Sequence, residues 1–125
     1  MSLRIRDLSE PVRAHFETPH VGPIEADMAI GRAGRVVDGT VIEIAMRVVD
    51  EQCQAAAFRA FGCPSAIACG SWLAEWLPGK SVAQAESMTG LQIARELGLA
   101  PEKTGVALLA EDGLRDALTA ARKSA

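Results

Sequence analysis

The chain has 125 residues, 49% hydrophobic and 23% charged, which suits one folded domain with its own core and excludes a disordered chain. Thirteen Lys and Arg against sixteen Asp and Glu leave a formal charge of −3, and only 4% of the residues are aromatic. That balance argues against a nucleic-acid partner and against an aromatic platform for single strands.

The first seven residues lack the apolar stretch of a signal peptide, and no apolar run reaches the roughly 20 residues of a membrane span. A cytoplasmic protein without membrane contact is expected. Cys53, Cys63 and Cys69 are odd in number, so free thiols are expected rather than a disulfide framework.

A single domain over residues 1–125 is predicted, with strands first and most helices after. Ser9-Glu10-Pro11 reads as a helix start, with Ser9 as N-cap. Leu8, Val12 and Phe16 form its apolar stripe, and the helix should stop before Thr18-Pro19. The loop His20-Val21-Gly22-Pro23 follows. A strand is expected over Met28–Gly34, weakened by Gly31 and Gly34. Residues 41–48 alternate, with Ile42, Ile44, Met46 and Val48 on one face of a half-buried strand. Asp50-Glu51-Gln52 is the turn, and Ala55 to Phe61 returns with Ala56, Phe58 and Ala60 on one face.

After Gly62 the period becomes helical. Ala66, Ile67, Gly70, Leu73, Ala74 and Leu77 mark one stripe, and Cys69, Trp72 and Trp76 a neighbouring one, up to Pro78-Gly79. Ser81 caps a short helix over Val82–Ser87. Thr89-Gly90 opens another, with Leu91, Ala94 and Leu97 inward and Gly98 as its stop. Pro101 stands near the start of a long last helix, with Val106, Leu109, Ala110, Gly113, Leu114, Ala117, Leu118 and Ala121 on its apolar stripe. The fold class is α+β: a small three-stranded antiparallel sheet packed against helices.

Cys63 carries the most chemistry. It follows Gly62 at a strand-to-helix junction, where the unpaired N–H donors and the positive end of the helix dipole favour a thiolate, the nucleophilic and metal-binding form. The alternative is a thiol that packs as a small hydrophobe.

The run Phe58-Arg59-Ala60-Phe61-Gly62-Cys63-Pro64-Ser65-Ala66-Ile67-Ala68 resembles the central motif of the IscU/NifU-type iron–sulfur cluster assembly scaffolds. Trp76 to Ser81, Leu108 to Leu114 and His15 to Pro19 continue the resemblance in the same order, so that it spans roughly Ser9 to Lys123. It implies an IscU/NifU-like sandwich, a role in cluster assembly, and docking to a cysteine desulfurase. The family's middle cysteine corresponds to Cys63. Its first cysteine falls on Asp38 and its aspartate on Thr40. Gly105-Val106 stands where the family has a His-Cys pair, and Lys103 matches a lysine just before it. The family's chaperone-recognition segment is only partly kept, as Leu99-Ala100-Pro101-Glu102-Lys103.

The resemblance therefore implies Cys63 and Asp38 as candidate ligands for iron or an iron–sulfur cluster, Cys63 as sulfur acceptor, and Lys103 as its support. A cluster commonly needs four protein ligands, mostly thiolates, and a carboxylate is a hard substitute for one. Cys69 lies about 9 Å along the helix axis from Cys63, so it reads as packing. Cys53 reads as a partly exposed bystander near the turn. His15 and His20 read as surface or capping residues, Trp72 and Trp76 as packing, and Arg32 and Arg35 as solvated loop charges.

Three functions compete: a scaffold that binds iron or cluster, a sulfur relay through Cys63, and a degenerate, non-metal-binding module that docks on the assembly machinery. An independent enzyme is not expected, for there is no nucleophile–histidine–acid set and no Gly-rich phosphate loop. A homo-oligomer stays open.

Overall fold

The computed structural model describes residues 8–20 and 22–124. The first seven residues, and Val21 of the first loop, lie outside them. Helix α1 spans Glu10–Glu17. Strands β1 (Ala29–Arg35), β2 (Thr40–Val49) and β3 (Gln52–Phe61) form an antiparallel sheet in the order β1-β2-β3. Helices α2 (Pro64–Trp76), α3 (Val82–Ser87), α4 (Gly90–Leu97) and α5 (Thr104–Ser124) follow. The α+β architecture expected from the two periodicities is the one observed.

Capping explains where the helices begin. Ser9 Oγ accepts the Val12 N–H at 3.2 Å and donates to the Leu97 carbonyl, which ties α1 to the end of α4. Ser81 and Gln84 form a reciprocal capping box on α3. Thr89 caps α4, and Gly98 closes it in the left-handed region. A carboxylate adds to the Thr89 cap: Glu111 of α5 accepts the Gly90 N–H at 2.6 Å.

The inner face of the sheet carries Ile42, Ile44 and Met46 from β2 against Leu73, Leu77, Ile93, Leu97, Leu114 and Ala117, all in one buried cluster. Gly31, which weakens the strand pattern, is what lets α5 lie on the sheet. A Cβ there would stand 2.0 Å from the Ala117 nitrogen and 2.3 Å from the Gly113 oxygen. Gly113 in turn sits over Ile42 and Ala33, so the N-terminal half of α5 extends toward the end of the sheet where β2 begins and β3 ends. The outer face has a smaller cluster in which Ile24 and Met28 cover Ala45 and Ala57. Arg47 holds that covering segment through Glu25 at 2.6 Å and Asp27 at 2.7 Å.

Four local expectations are corrected. The β2–β3 turn is only Asp50-Glu51, both at positive φ (51° and 63°), so β3 begins at Gln52 rather than Ala55. Pairing then runs Val48 with Cys53 but Arg47 with Ala55, leaving Gln54 as a bulge. That extra residue turns Cys53 onto the core face, where it is 3% exposed rather than a bystander at the surface. On α4, Leu91 is 62% exposed and Ile93 takes the core position, because Ile93 and Leu97, four residues apart, share the buried face. Arg32 and Arg35 lie on β1 rather than in a loop, and both are paired, to Glu43 at 3.7 Å and Asp38 at 2.9 Å.

Candidate functional site

Cys63 is the N-cap residue of α2, with extended φ/ψ of −74° and 167°. Its carbonyl accepts the N–H groups of Ala66 (3.0 Å) and Ile67 (3.3 Å), while its side chain makes no capping hydrogen bond. The sulfur is thus left free at the N-terminus of a 13-residue helix. The thiol is half-buried, whereas Cys53 and Cys69 are buried.

The approach to Cys63 is set by Gly62. Its φ is +140°, and a Cβ there would come 2.9 Å from the Gly39 oxygen and 3.2 Å from Thr40 Oγ1. Only glycine meets both demands. The β1–β2 connection is thereby pressed against the β3–α2 junction, so Asp38-Gly39-Thr40 and Gly62-Cys63 share one end of the sheet. Val36 to Asp38 form a 3₁₀ turn that Gly39 ends in the left-handed region. Val36, Val37 and Phe61 are exposed at this end.

The other positions that the resemblance singles out differ in what they offer. Asp38 is engaged with Arg35, Nε to Oδ2 at 2.9 Å, and both side chains are mostly exposed. The signal for this pair was present in the spacing Arg35-x-x-Asp38 and was missed. Lys103 ends a 3₁₀ turn that leads into α5, its N–H bonded to the Ala100 carbonyl. Among the described residues, no hydrogen bond or ion pair joins Lys103 to Cys63 or Asp38. Gly105 has open space where a side chain would stand, and Val106 packs toward the core.

The two remaining cysteines are inert by environment. Burial pushes the Cys69 thiol up to about 12, and the charge of Cys63 adds to the effect. Burial also raises Cys53, whose thiol donates to the Ala55 carbonyl at 3.4 Å. Neither offers an accessible thiolate at neutral pH. Among the described residues, no three His, Cys, Asp or Glu side chains come together in a way that could hold a metal ion. Among the described residues, the donors therefore make no metal site.

His15 is neither a surface nor a capping residue. Its Nδ1 lies 2.8 Å from Ser71 Oγ and 3.8 Å from Glu75, and Ser71 also accepts the His20 N–H at 2.7 Å. The buried Ser71 thus fastens α1 and the following loop to α2. Sequence reading missed it because α2 is covered on more sides than one stripe allows. Trp72 and Trp76 stack at 5.9 Å, with Lys80 Nζ 5.2 Å from the Trp76 ring. Both pack against the core as expected.

Among the described residues, no helix is long and apolar enough to cross a membrane. Residues 8–124 match the family model described as the NifU-like N terminal domain. The iron-sulfur cluster assembly scaffold protein IscU of Buchnera aphidicola is 38% identical over 116 residues, which cover 89% of this chain and 92% of that protein. IscU of Escherichia coli K12 is 36% identical over 115 residues, 88% and 90% of the two chains. The crystal structure of a nitrogen-fixing NifU-like protein (N-terminal) from Brucella abortus superposes with a TM-score of 0.69 at 15% identity, covering 93% of this chain and 94% of that one. With the fold, the Gly62-Cys63 junction and these likenesses in agreement, the chain belongs to the NifU-like N-terminal domain family.

Proposed function

We propose that this chain works in iron–sulfur cluster assembly as a scaffold-type protein, and that Cys63 accepts sulfane sulfur from a cysteine desulfurase. The observation that carries the reading is the contrast among three thiols. Cys63 alone is accessible, and it alone sits at a helix N-terminus without spending its sulfur on a capping bond. The scaffold role is supported by family membership and by the names of the relatives.

The chemistry requires one thiolate. The Cys63 thiolate attacks the terminal sulfur of a donor persulfide, R–S–S–H. A new bond forms between Cys63 Sγ and that sulfur, and the donor S–S bond breaks. Its electron pair leaves on the donor sulfur as a thiolate, so no outside oxidant or reductant is consumed. This chain is then a carrier rather than an enzyme, since it leaves the step changed.

The test is incubation with a cysteine desulfurase and cysteine, followed by peptide mass spectrometry. One added sulfur on the Cys63 peptide is expected, and none on a Cys63→Ser protein. An unmodified wild-type chain contradicts the proposal. A second reading, a docking module without chemistry, is favoured by the exposed Val36, Val37 and Phe61 at the same end of the sheet. Under that reading, Cys63→Ser leaves the cellular effect of the protein intact.

A further inference from the structure

A thiol that accepts sulfur and a site that builds a cluster are separate demands, and this end of the sheet meets only the first. A tetrahedral metal site takes four donors, and iron–sulfur clusters take mostly thiolates. Among the described residues, the carboxylate that this junction brings to the end of the sheet is Asp38, and it is paired with Arg35 at 2.9 Å. To reach a metal it would have to leave that partner, and it would then bring a hard oxygen to a soft centre. The start of α5 adds no donor, because Gly105 has no side chain and Val106 is apolar. Cys69 and Cys53 are held in the core as protonated thiols. His15 is turned onto Ser71 of α2.

We infer that this chain does not hold iron or a cluster at Cys63 by itself, and that its sulfur leaves as sulfane sulfur to a thiol on a second molecule that brings the iron ligands. The inference rests on Cys63 as sulfur acceptor. The outgoing step mirrors the loading step. A thiolate of the second molecule attacks the outer sulfur of the Cys63 persulfide, a new S–S bond forms on the acceptor, and the Cys63 Sγ–S bond breaks. Its electron pair returns to Cys63 as a thiolate. The chain thus stands between a reaction that releases sulfur from an amino acid as a persulfide and one that joins sulfur to iron elsewhere.

The experiment treats the full chain, prepared anaerobically, with Co²⁺ alone and separately with Fe²⁺ and sulfide, beside Cys63→Ser. Serine is a good N-cap, so the variant keeps its fold. A parallel sample is loaded with persulfide by a desulfurase and then exposed to glutathione as the thiol probe. The expected result has three parts: no thiolate-to-cobalt charge-transfer absorption, no iron or sulfide retained after desalting beyond the serine variant, and complete loss of the loaded sulfur to glutathione. Stoichiometric cobalt or cluster that disappears in Cys63→Ser, with persulfide still forming, overturns this inference and leaves the sulfur-acceptor reading standing. Failure of persulfide to form on wild type brings down both.

Discussion

Strand β3 has a cysteine at each end of its course, and the two live in opposite surroundings. Cys53, beside the β2–β3 turn, is closed in. Its N–H donates to the Lys80 carbonyl at 2.8 Å, its carbonyl accepts the Gly79 N–H at 2.8 Å, and the Val82 N–H reaches Glu51 at 2.9 Å. Cys63, just beyond the other end, follows a glycine and caps a helix with its sulfur unspent. Cys53 is thus closed in by backbone hydrogen bonds, and Cys63 is left accessible. The difference comes from the chain's course, since the residue type is the same. A bulge turns one thiol inward, and a positive-φ glycine sets the other at the mouth of α2.

The strongest way to break the open end is Gly62→Ala. The added Cβ meets the Gly39 oxygen at 2.9 Å, in a backbone region that side chains avoid. A loss of about 2–3 kcal/mol in denaturant unfolding is expected, together with loss of sulfur loading at Cys63. Unchanged stability contradicts the tight junction.

Ser71→Ala comes next. It leaves the His20 N–H and His15 Nδ1 without their partner inside the molecule. About 1–2 kcal/mol is expected to be lost, with Cys63 still loaded, because α1 is loosened while the junction is intact. Thermal melts and the loading assay on one preparation check both halves.

The smallest effect concerns acid. The Gly90 N–H, then Arg115, hold the Glu111 carboxyl below its ordinary value of 4.5. Its pKa is lower folded than unfolded, so its stabilisation is full above the unfolded value and is lost as pH falls through the folded one. Glu111→Gln should therefore cost less than about 1 kcal/mol at pH 7 and flatten the acid limb of the stability curve. An unaltered acid limb removes this linkage.

The sequence revealed the sheet through period two in β2, and the helices through their caps at Ser9, Ser81 and Thr89. It also led to Cys63, because glycine before and proline after mark a strand-to-helix junction. What stayed hidden depended on residues far apart in the chain or on one-residue shifts. The Gln54 bulge reversed the facing of Cys53, and α1 folding back onto α2 buried Ser71. The cover that Ile24 and Met28 place on the outer face has no periodicity to announce it. At the site, the spacing Arg35-x-x-Asp38 carried the signal of the ion pair, and the turn that Gly39 ends brings the two side chains together.

The central claim is that position, not residue type, makes one of three thiols chemical. The most direct test is native-state thiol labelling with iodoacetamide, read at Cys53, Cys63 and Cys69 by peptide mapping. Cys63 is expected to react at the rate of an accessible thiol. Cys53 and Cys69 should react at least about a thousandfold more slowly, because they wait for unfolding. Labelling of Cys53 or Cys69 as fast as Cys63, or protection of Cys63 in the folded chain, would contradict it.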